Sequence, residues 1–146
     1  MRKAALLMAA ILALTMGQYG IALATAGEDQ YEEETAVSQP PERPGLNAAL
    51  DLGRACAVEL GAASLLVLFA DLPLLEAADV RALAGAAEPV AIAPDRHGTG
   101  TNALALRLAG AGRGFGFAFG VGSAARHLAE ADRLGLEVAT VARPGL

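Results

Sequence analysis

The chain has 146 residues, the length of one domain, and its apolar content of 54% provides for a sizeable core. A formal net charge of −5 excludes a general nucleic-acid-binding protein, because such proteins need a basic surface. A single cysteine excludes an internal disulfide bond, and with two histidines it provides too few ligands for a structural zinc site. We expect this cysteine, Cys56, to be a buried helix residue.

The N-terminal segment permits two interpretations. A basic start, an apolar run over residues 4–14 and Ala-x-Ala sequences over residues 22–26 are typical of a secretory signal. The same sequence also fits a buried helix over residues 3–16 followed by a parallel strand over residues 21–25. The apolar run is too short to span a bilayer. Neither interpretation therefore predicts a membrane protein.

The following segment, residues 26–44, is acidic and contains prolines but few apolar residues. This composition predicts a surface loop. We therefore divide residues 1–146, as a single domain, into an N-terminal helix and strand over residues 1–25, this acidic loop, and a core over residues 45–146.

The core is predicted to contain three helices and four strands. The helices cover residues 45–61, 77–86 and 123–134, with Asn47 and Ser123 as N-caps and Gly61 and Gly135 after the C-terminal ends. The strands cover residues 64–70, 90–93, 103–108 and 136–142. The first of these strands lacks polar alternation, which suits a central strand that is buried on both faces. This order predicts an α/β fold with a mostly parallel sheet and helices on both faces.

The loop after the strand over residues 90–93 is unusually polar. Gly98 and Gly100 can adopt positive φ angles and allow a ligand to approach backbone N–H groups. Further donors in the loop are Arg96, Thr99, Thr101 and Asn102. The loop therefore fits an anion-binding cradle, and the alternative is a solvated turn between two strands.

Two other polar features lie at the ends of predicted elements, one after a strand and one before a helix. Ligands of open α/β sheets bind beyond the carboxyl ends of the strands. Asp71 lies at such an end, where a carboxylate suits Mg²⁺ together with phosphate oxygens; the alternative is a turn or capping residue. Residues 120–123 lead into a helix N-terminus, which favours an anion, although Ser123 also fits a plain cap.

Three further motifs are only weak evidence for a particular function. The glycine-rich residues 110–116 fit no dinucleotide-binding register. Ser123, His127 and Asp71 resemble a hydrolytic triad only superficially, because no nucleophile-elbow sequence surrounds the serine, and we expect His127 on a helix surface. Phe115, Phe117 and Phe119 are expected to pack in a strand or loop rather than to stack on bases.

Four motifs in order resemble the 2-phospho-L-lactate guanylyltransferases. They are GLNAAL at residues 45–50, LVLFADLPLL at 66–75, APDRHGTGTNAL at 93–104 and FGVGSAARH at 119–127. The resemblance implies a nucleotide-diphospho-sugar transferase (Rossmann-like) fold. It also implies transfer of GMP from GTP to 2-phospho-L-lactate, phosphoenolpyruvate or 3-phosphoglycerate, with Mg²⁺ and release of pyrophosphate, in the biosynthesis of coenzyme F-420.

The resemblance also implies roles for particular residues. By position, Thr101, Gly120 and Ser123 match the family's contacts to the phosphorylated acid, and Asp71 matches its metal-binding aspartate. Further candidate contacts to an anion or nucleotide are Asn47, Arg96, Thr99 and Asn102.

Two features of the family are not found in this sequence. They are a first strand with a glycine- and lysine-bearing nucleotide loop, and an aspartate-containing segment beyond Leu146. We therefore expect a fold that is incomplete at both ends, and we keep the alternative of an inactive remnant that binds phospho-acids. The resemblance favours a cytoplasmic protein over a secreted binding domain, with no membrane or nucleic-acid partner. Open sheet edges make a homo-oligomer a candidate.

Overall fold

The computed structural model describes residues 45–86 and 88–146, and also the backbone of four strands within residues 9–38. The strands are β1 (Ala9–Thr15), β2 (Gln18–Gly27), β3 (Gln30–Tyr31), β4 (Thr35–Ser38), β5 (Ser64–Phe69), β6 (Val90–Pro94), β7 (Thr101–Arg107) and β8 (Val138–Thr140). The helices are α1 (Leu46–Glu59), α2 (Ala77–Ala84) and α3 (Ser123–Arg133), with a short 3₁₀ helix at Gly110–Gly114. The prediction of an α/β fold is confirmed.

The strands form one sheet in the order β3-β2-β1-β5-β7-β6-β8, with β4 also paired to β2. Within the described strands, β1 is parallel to β5 and β6 is parallel to β8, whereas the other pairs are antiparallel. The prediction of a mostly parallel sheet is therefore wrong. Only residues 95–100 connect β6 to β7, and a connection of that length makes a hairpin because a parallel crossover needs about a dozen residues or more.

The N-terminal elements also differ from the prediction. Strand β1 lies where we predicted a helix over residues 3–16, and it pairs in parallel with β5, with Leu12 opposite Val67. A short apolar run does not distinguish a buried helix from a buried strand, so the pairing with β5 decides. Strand β2 includes the predicted strand over residues 21–25 but is antiparallel to β1, and β3 and β4 lie within the predicted acidic loop. The signal-peptide interpretation and the division into segments stay predictions.

The central strands separate two apolar clusters. Alternate residues of β5, β6 and β7 point to opposite faces, as the two-residue period of a strand requires. On one face, Leu65, Ile92 and Leu104 pack with residues of α1 and α3. On the other face, Leu66 and Ala91 pack with α2. The prediction of helices on both faces is confirmed.

The predicted glycines after the C-terminal ends of α1 and α3 are confirmed, and the predicted N-caps of these two helices are wrong. Gly61 and Gly135 follow α1 and α3 with φ angles of +77° and +66°. The N-caps are Gly45 and Gly122, because the side chains of Asn47 and Ser123 bond to other segments. Cys56 lies in α1 as predicted but is only half-buried. Among the described residues, no helix is both long and apolar enough to cross a bilayer.

Candidate phospho-acid site

Two buried hydroxyl groups meet at one edge of the sheet. Thr101 begins β7 and Ser123 begins α3, and the Ser123 hydroxyl donates to Thr101 Oγ1 over 3.1 Å. Their residues are only 5% and 1% exposed. A buried hydroxyl must find a hydrogen-bond partner, so these two groups fix each other. The structure therefore brings together two residues predicted to contact the phosphorylated acid.

A third buried group completes this cluster. His127 Nδ1 lies 3.0 Å from Thr101 Oγ1, and His127 Nε2 accepts the backbone N–H of Ala118 over 3.0 Å. His127 is fully buried, and desolvation, with a smaller effect from Arg126, lowers its pKa to about 4. The expected surface position of His127 is wrong, because the residue four positions after Ser123 lies on the same inward face of α3.

The glycine turn before α3 provides backbone donors beside this cluster. Gly120 and Gly122 have φ angles of +124° and +69°, which L side chains rarely adopt. The Gly120 carbonyl accepts the N–H of Ser123 over 3.0 Å, which connects the turn to the hydroxyl pair. The N–H groups of Gly120, Val121 and Gly122 find no acceptor among the described residues. These three donors are available to an anion.

The loop between β6 and β7 already contains an internal anion. The Asp95 carboxylate accepts the N–H groups of His97 over 3.1 Å and of Thr99 over 2.9 Å. The backbone N–H of Gly100, followed by those of Thr99 and His97, lowers the pKa of Asp95. These N–H groups are therefore not available to a ligand in this conformation, as the solvated-turn interpretation expects.

The two loop glycines have different functions in the turn. Gly98 has a φ angle of +70°, as predicted, but Gly100 does not have a positive φ angle. A Cβ atom at Gly100 would lie 2.7 Å from Asp95 Oδ2, so the close approach there is made by a side chain of the protein. The Thr99 carbonyl accepts the N–H of Ala124 over 3.1 Å, which connects the loop to the start of α3.

The side-chain contacts of the other polar loop residues are made outside the hydroxyl cluster. Arg96 and Asn102 line a cleft of about 370 Å³ with Asp95 and His97. Arg96 Nε lies 3.0 Å from His97 Nε2, and the Thr99 hydroxyl lies 3.4 Å from Asp95 Oδ2. Contacts of Arg96, Thr99 and Asn102 with an anion or nucleotide stay predictions.

The predicted metal ligand lies at the same edge of the sheet. Asp71 is exposed, two residues beyond the end of β5. Because Leu68 pairs with Ala103, the end of β5 lies beside Thr101 at the start of β7. Among the described residues, no three histidine, cysteine, aspartate or glutamate side chains form a metal-binding group. A single carboxylate does not fit an all-protein metal cage, but it does fit Mg²⁺, which takes further ligands from water and substrate phosphates.

Comparison with known families shows which family the chain belongs to. The family model described as "Guanylyl transferase CofC like" matches residues 20–141, which include every residue of the candidate site. The chain belongs to this family.

Curated relatives of this CofC-like chain are named phosphoenolpyruvate guanylyltransferase. The protein from Rubrobacter xylanophilus is 50% identical over 107 residues, which cover 70% of this chain and 50% of the relative. The protein from Sphaerobacter thermophilus is 46% identical over 104 residues (70% and 49%), and that from Conexibacter woesei is 43% identical over 102 residues (67% and 44%). The chain thus spans about half the length of the curated relatives it matches.

A solved structure supports the predicted fold. A putative nucleotide-diphospho-sugar transferase from Desulfovibrio desulfuricans matches with a TM-score of 0.56 at 16% sequence identity. The match covers 68% of this chain and 45% of that chain. At this identity the likeness concerns the fold alone, and it confirms the predicted nucleotide-diphospho-sugar transferase fold.

The sequence did not predict the contacts of Asn47 and Phe119 that support the candidate site. The carboxamide of Asn47 accepts the N–H of Phe119 over 2.8 Å and donates to its carbonyl over 3.1 Å. The ring of Phe119 lies 4.6 Å from the His127 ring and 5.3 Å from that of Phe69. The phenylalanines are thus buried packing residues, as predicted. The signal for His127 was its four-residue spacing from Ser123, which places both on one helix face.

Proposed function

We propose that this chain contributes the acceptor-binding part of a GTP-dependent guanylyltransferase. The acceptor is a three-carbon phospho-acid, and pyrophosphate is the second product. The observation that carries the proposal is the buried Thr101–Ser123 hydroxyl pair beside the free N–H groups of the glycine turn. Hydroxyl and N–H donors around a helix N-terminus suit a phosphate or carboxylate group.

Phosphoenolpyruvate is the acceptor that we propose first. The three curated relatives, at 43–50% identity, are all named for it. The residues at the site do not by themselves distinguish phosphoenolpyruvate from 2-phospho-L-lactate or 3-phosphoglycerate, because all three carry a phosphate and a carboxylate. From the family resemblance, we also propose a place in coenzyme F-420 biosynthesis and a cytoplasmic location.

In the proposed reaction, an oxygen of the acceptor phosphate attacks the α-phosphorus of GTP. A new phosphorus–oxygen bond forms, and the bond from the α-phosphorus to the pyrophosphate oxygen breaks. Thr101, Ser123 and the glycine turn hold the acceptor, so that its phosphate meets GTP in line. Asp71 would hold Mg²⁺, which when bound supplies positive charge to the phosphates. No covalent bond to the protein is needed.

The proposal is tested by pyrophosphate release. The chain is incubated with GTP and Mg²⁺ and with each of the three phospho-acids in turn, and release is expected to be fastest with phosphoenolpyruvate. Asp71→Asn, which keeps the size of the side chain but removes its charge, is expected to lower the rate about 100-fold or more. Asp51→Asn, at an aspartate in α1, serves as the matched control.

A second measurement distinguishes the proposed enzyme from the alternative, a remnant that binds phospho-acids without turnover. Calorimetric binding of phosphoenolpyruvate without pyrophosphate release would favour this alternative. Absence of both binding and release would contradict both functions.

A further inference from the structure

The hydrogen bonds of His127 determine which ring nitrogen carries the proton. Nε2 accepts the backbone N–H of Ala118 over 3.0 Å, so Nε2 has no hydrogen. The ring is neutral near pH 7, because burial lowers its pKa to about 4. A neutral imidazole carries its hydrogen on the other nitrogen. His127 Nδ1 is therefore the donor in its 3.0 Å contact with Thr101 Oγ1.

Thr101 Oγ1 then accepts two hydrogen bonds. One comes from His127 Nδ1 and the other from the Ser123 hydroxyl over 3.1 Å. A hydroxyl oxygen has two acceptor positions and one hydrogen to donate. Both acceptor positions are occupied, and the hydrogen of Thr101 finds no acceptor among the described residues. An unused donor in a residue that is 5% exposed is costly unless a ligand accepts from it.

We propose that His127 is a positioning residue for acceptor binding, which makes the Thr101 hydroxyl a donor to an anionic oxygen of the phospho-acid. This inference rests on the proposed function. The opposite tautomer would have the reverse effect, because an Nδ1 without a hydrogen would accept a hydrogen bond from the Thr101 hydroxyl. Thr101 would then present a lone pair to the anion and repel it. Rings of Phe115 and Phe119, at 6.0 Å and 4.6 Å from the imidazole, hold it in place.

The first test examines the tautomer in the unaltered protein. The chain is labelled with ¹⁵N-histidine, and the ring nitrogen shifts are measured near pH 7 by NMR. We expect a protonated Nδ1 and a bare Nε2 for His127, while the exposed His97 serves as an internal reference. A protonated Nε2, or an imidazolium ring, would overturn the inference whether or not the protein binds a ligand.

The second test uses two substitutions that each retain one half of the imidazole. His127→Asn places an amide N–H near the position of Nδ1, so it retains the donor to Thr101. His127→Gln places its amide near Nε2, so it retains the contact with Ala118 but loses the donor to Thr101. Each variant loses one hydrogen bond of His127, and thermal unfolding checks that both remain folded.

Binding of phosphoenolpyruvate is then measured by calorimetry. We expect His127→Gln to weaken binding by on the order of 10- to 100-fold, the effect of losing one hydrogen bond to a charged group. His127→Asn is expected to bind within a few-fold of the unaltered chain. Equal weakening by both variants, or greater weakening by His127→Asn, would overturn the positioning role. If the unaltered chain binds no phospho-acid, the proposed function itself fails.

Discussion

The hydroxyl of Thr101 joins two elements, since β7 carries it and α3 supplies both of its hydrogen-bond donors. The family resemblance predicts that Thr101 and Ser123 contact a phospho-acid. It did not indicate that they contact each other, because a pairwise distance between residues 22 positions apart is a property of the fold. The hydroxyl cluster is therefore centred on Thr101 Oγ1, which the Ser123 and His127 side chains of α3 both contact.

Replacement of Thr101 by valine tests this oxygen directly. Valine keeps the shape of the side chain but leaves two buried donors without an acceptor. We expect phosphoenolpyruvate affinity to fall by on the order of 10- to 100-fold, whereas Thr101→Ser should retain most of it. Calorimetric titration measures both. Thr140→Val, at an exposed position in β8, is the control, and similar losses at both positions would contradict a role for the Thr101 hydroxyl.

Burial of His127 predicts a pH dependence of stability. Its pKa in the folded chain is about 4, below the ordinary value of 6.5. As the pH falls, His127 is therefore protonated in the unfolded chain before it is protonated in the folded chain. Its contribution to stability is fully present above about pH 6.5 and declines as the pH falls toward 4. The loss is about 3 kcal/mol at most.

Urea unfolding between pH 7.5 and 4.5 measures this decline. In this range the lowered pKa values of Asp79, Asp95 and Glu130 contribute little, because carboxylates titrate at lower pH. His127→Asn removes the titrating group and should flatten the dependence. An unchanged slope in that variant would show that another group titrates.

Among the elements, the extended segment over residues 115–119 depends on a contact with α1. Asn47 bonds to both backbone polar groups of Phe119, as a neighbouring strand would. We predicted Asn47 as an N-cap because asparagine is favoured at the start of helices. Tertiary contact overrides that preference, since Gly45 precedes the helix and the Asn47 side chain reaches residue 119.

Removal of this contact should destabilise the fold. Asn47→Ala leaves the N–H and carbonyl of the buried Phe119 without partners, and we expect a loss of about 2 kcal/mol in the free energy of unfolding. The control is Asp51→Ala, one turn further along α1, where the 44% exposed Asp51 carboxylate pairs with Arg54 over 3.3 Å and should contribute about 1 kcal/mol or less. Urea unfolding at pH 7 compares the variants, and equal losses would contradict the anchoring role.

Across the whole molecule, an ion pair joins α2 to the segment after β8. Arg143 Nε donates to Asp79 Oδ1 over 2.8 Å, and the hydrogen bond from Arg143 is the main cause of the lowered pKa of Asp79. The Arg133–Glu130 pair is instead local to α3, with Arg133 mostly exposed. The two pairs therefore make a matched comparison of long-range and local contacts.

We expect Arg143→Ala to lower the thermal unfolding midpoint more than Arg133→Ala, because it leaves the buried Asp79 carboxylate without its cation. A lowered carboxyl pKa contributes stability above its ordinary value of 3.8 and loses it as the pH falls. The difference between Arg143→Ala and the unaltered chain should therefore shrink below about pH 4. Differential scanning calorimetry at pH 7 and pH 3 checks both expectations, and a pH-independent difference would exclude the ion pair as its source.

The sequence by itself determined the helix stops at Gly61 and Gly135, the apolar central strands, the α/β class and the family, because local patterns and ordered motifs encode these features. Only the tertiary structure decided the strand directions, the strand nature of residues 9–15 and the partners of Asn47, Asp95 and His127. The physical reason is that a side chain's hydrogen-bond partner depends on which distant segment packs against it. At Thr101, the family resemblance predicts a contact with a ligand, and the fold determines which groups bond to the hydroxyl.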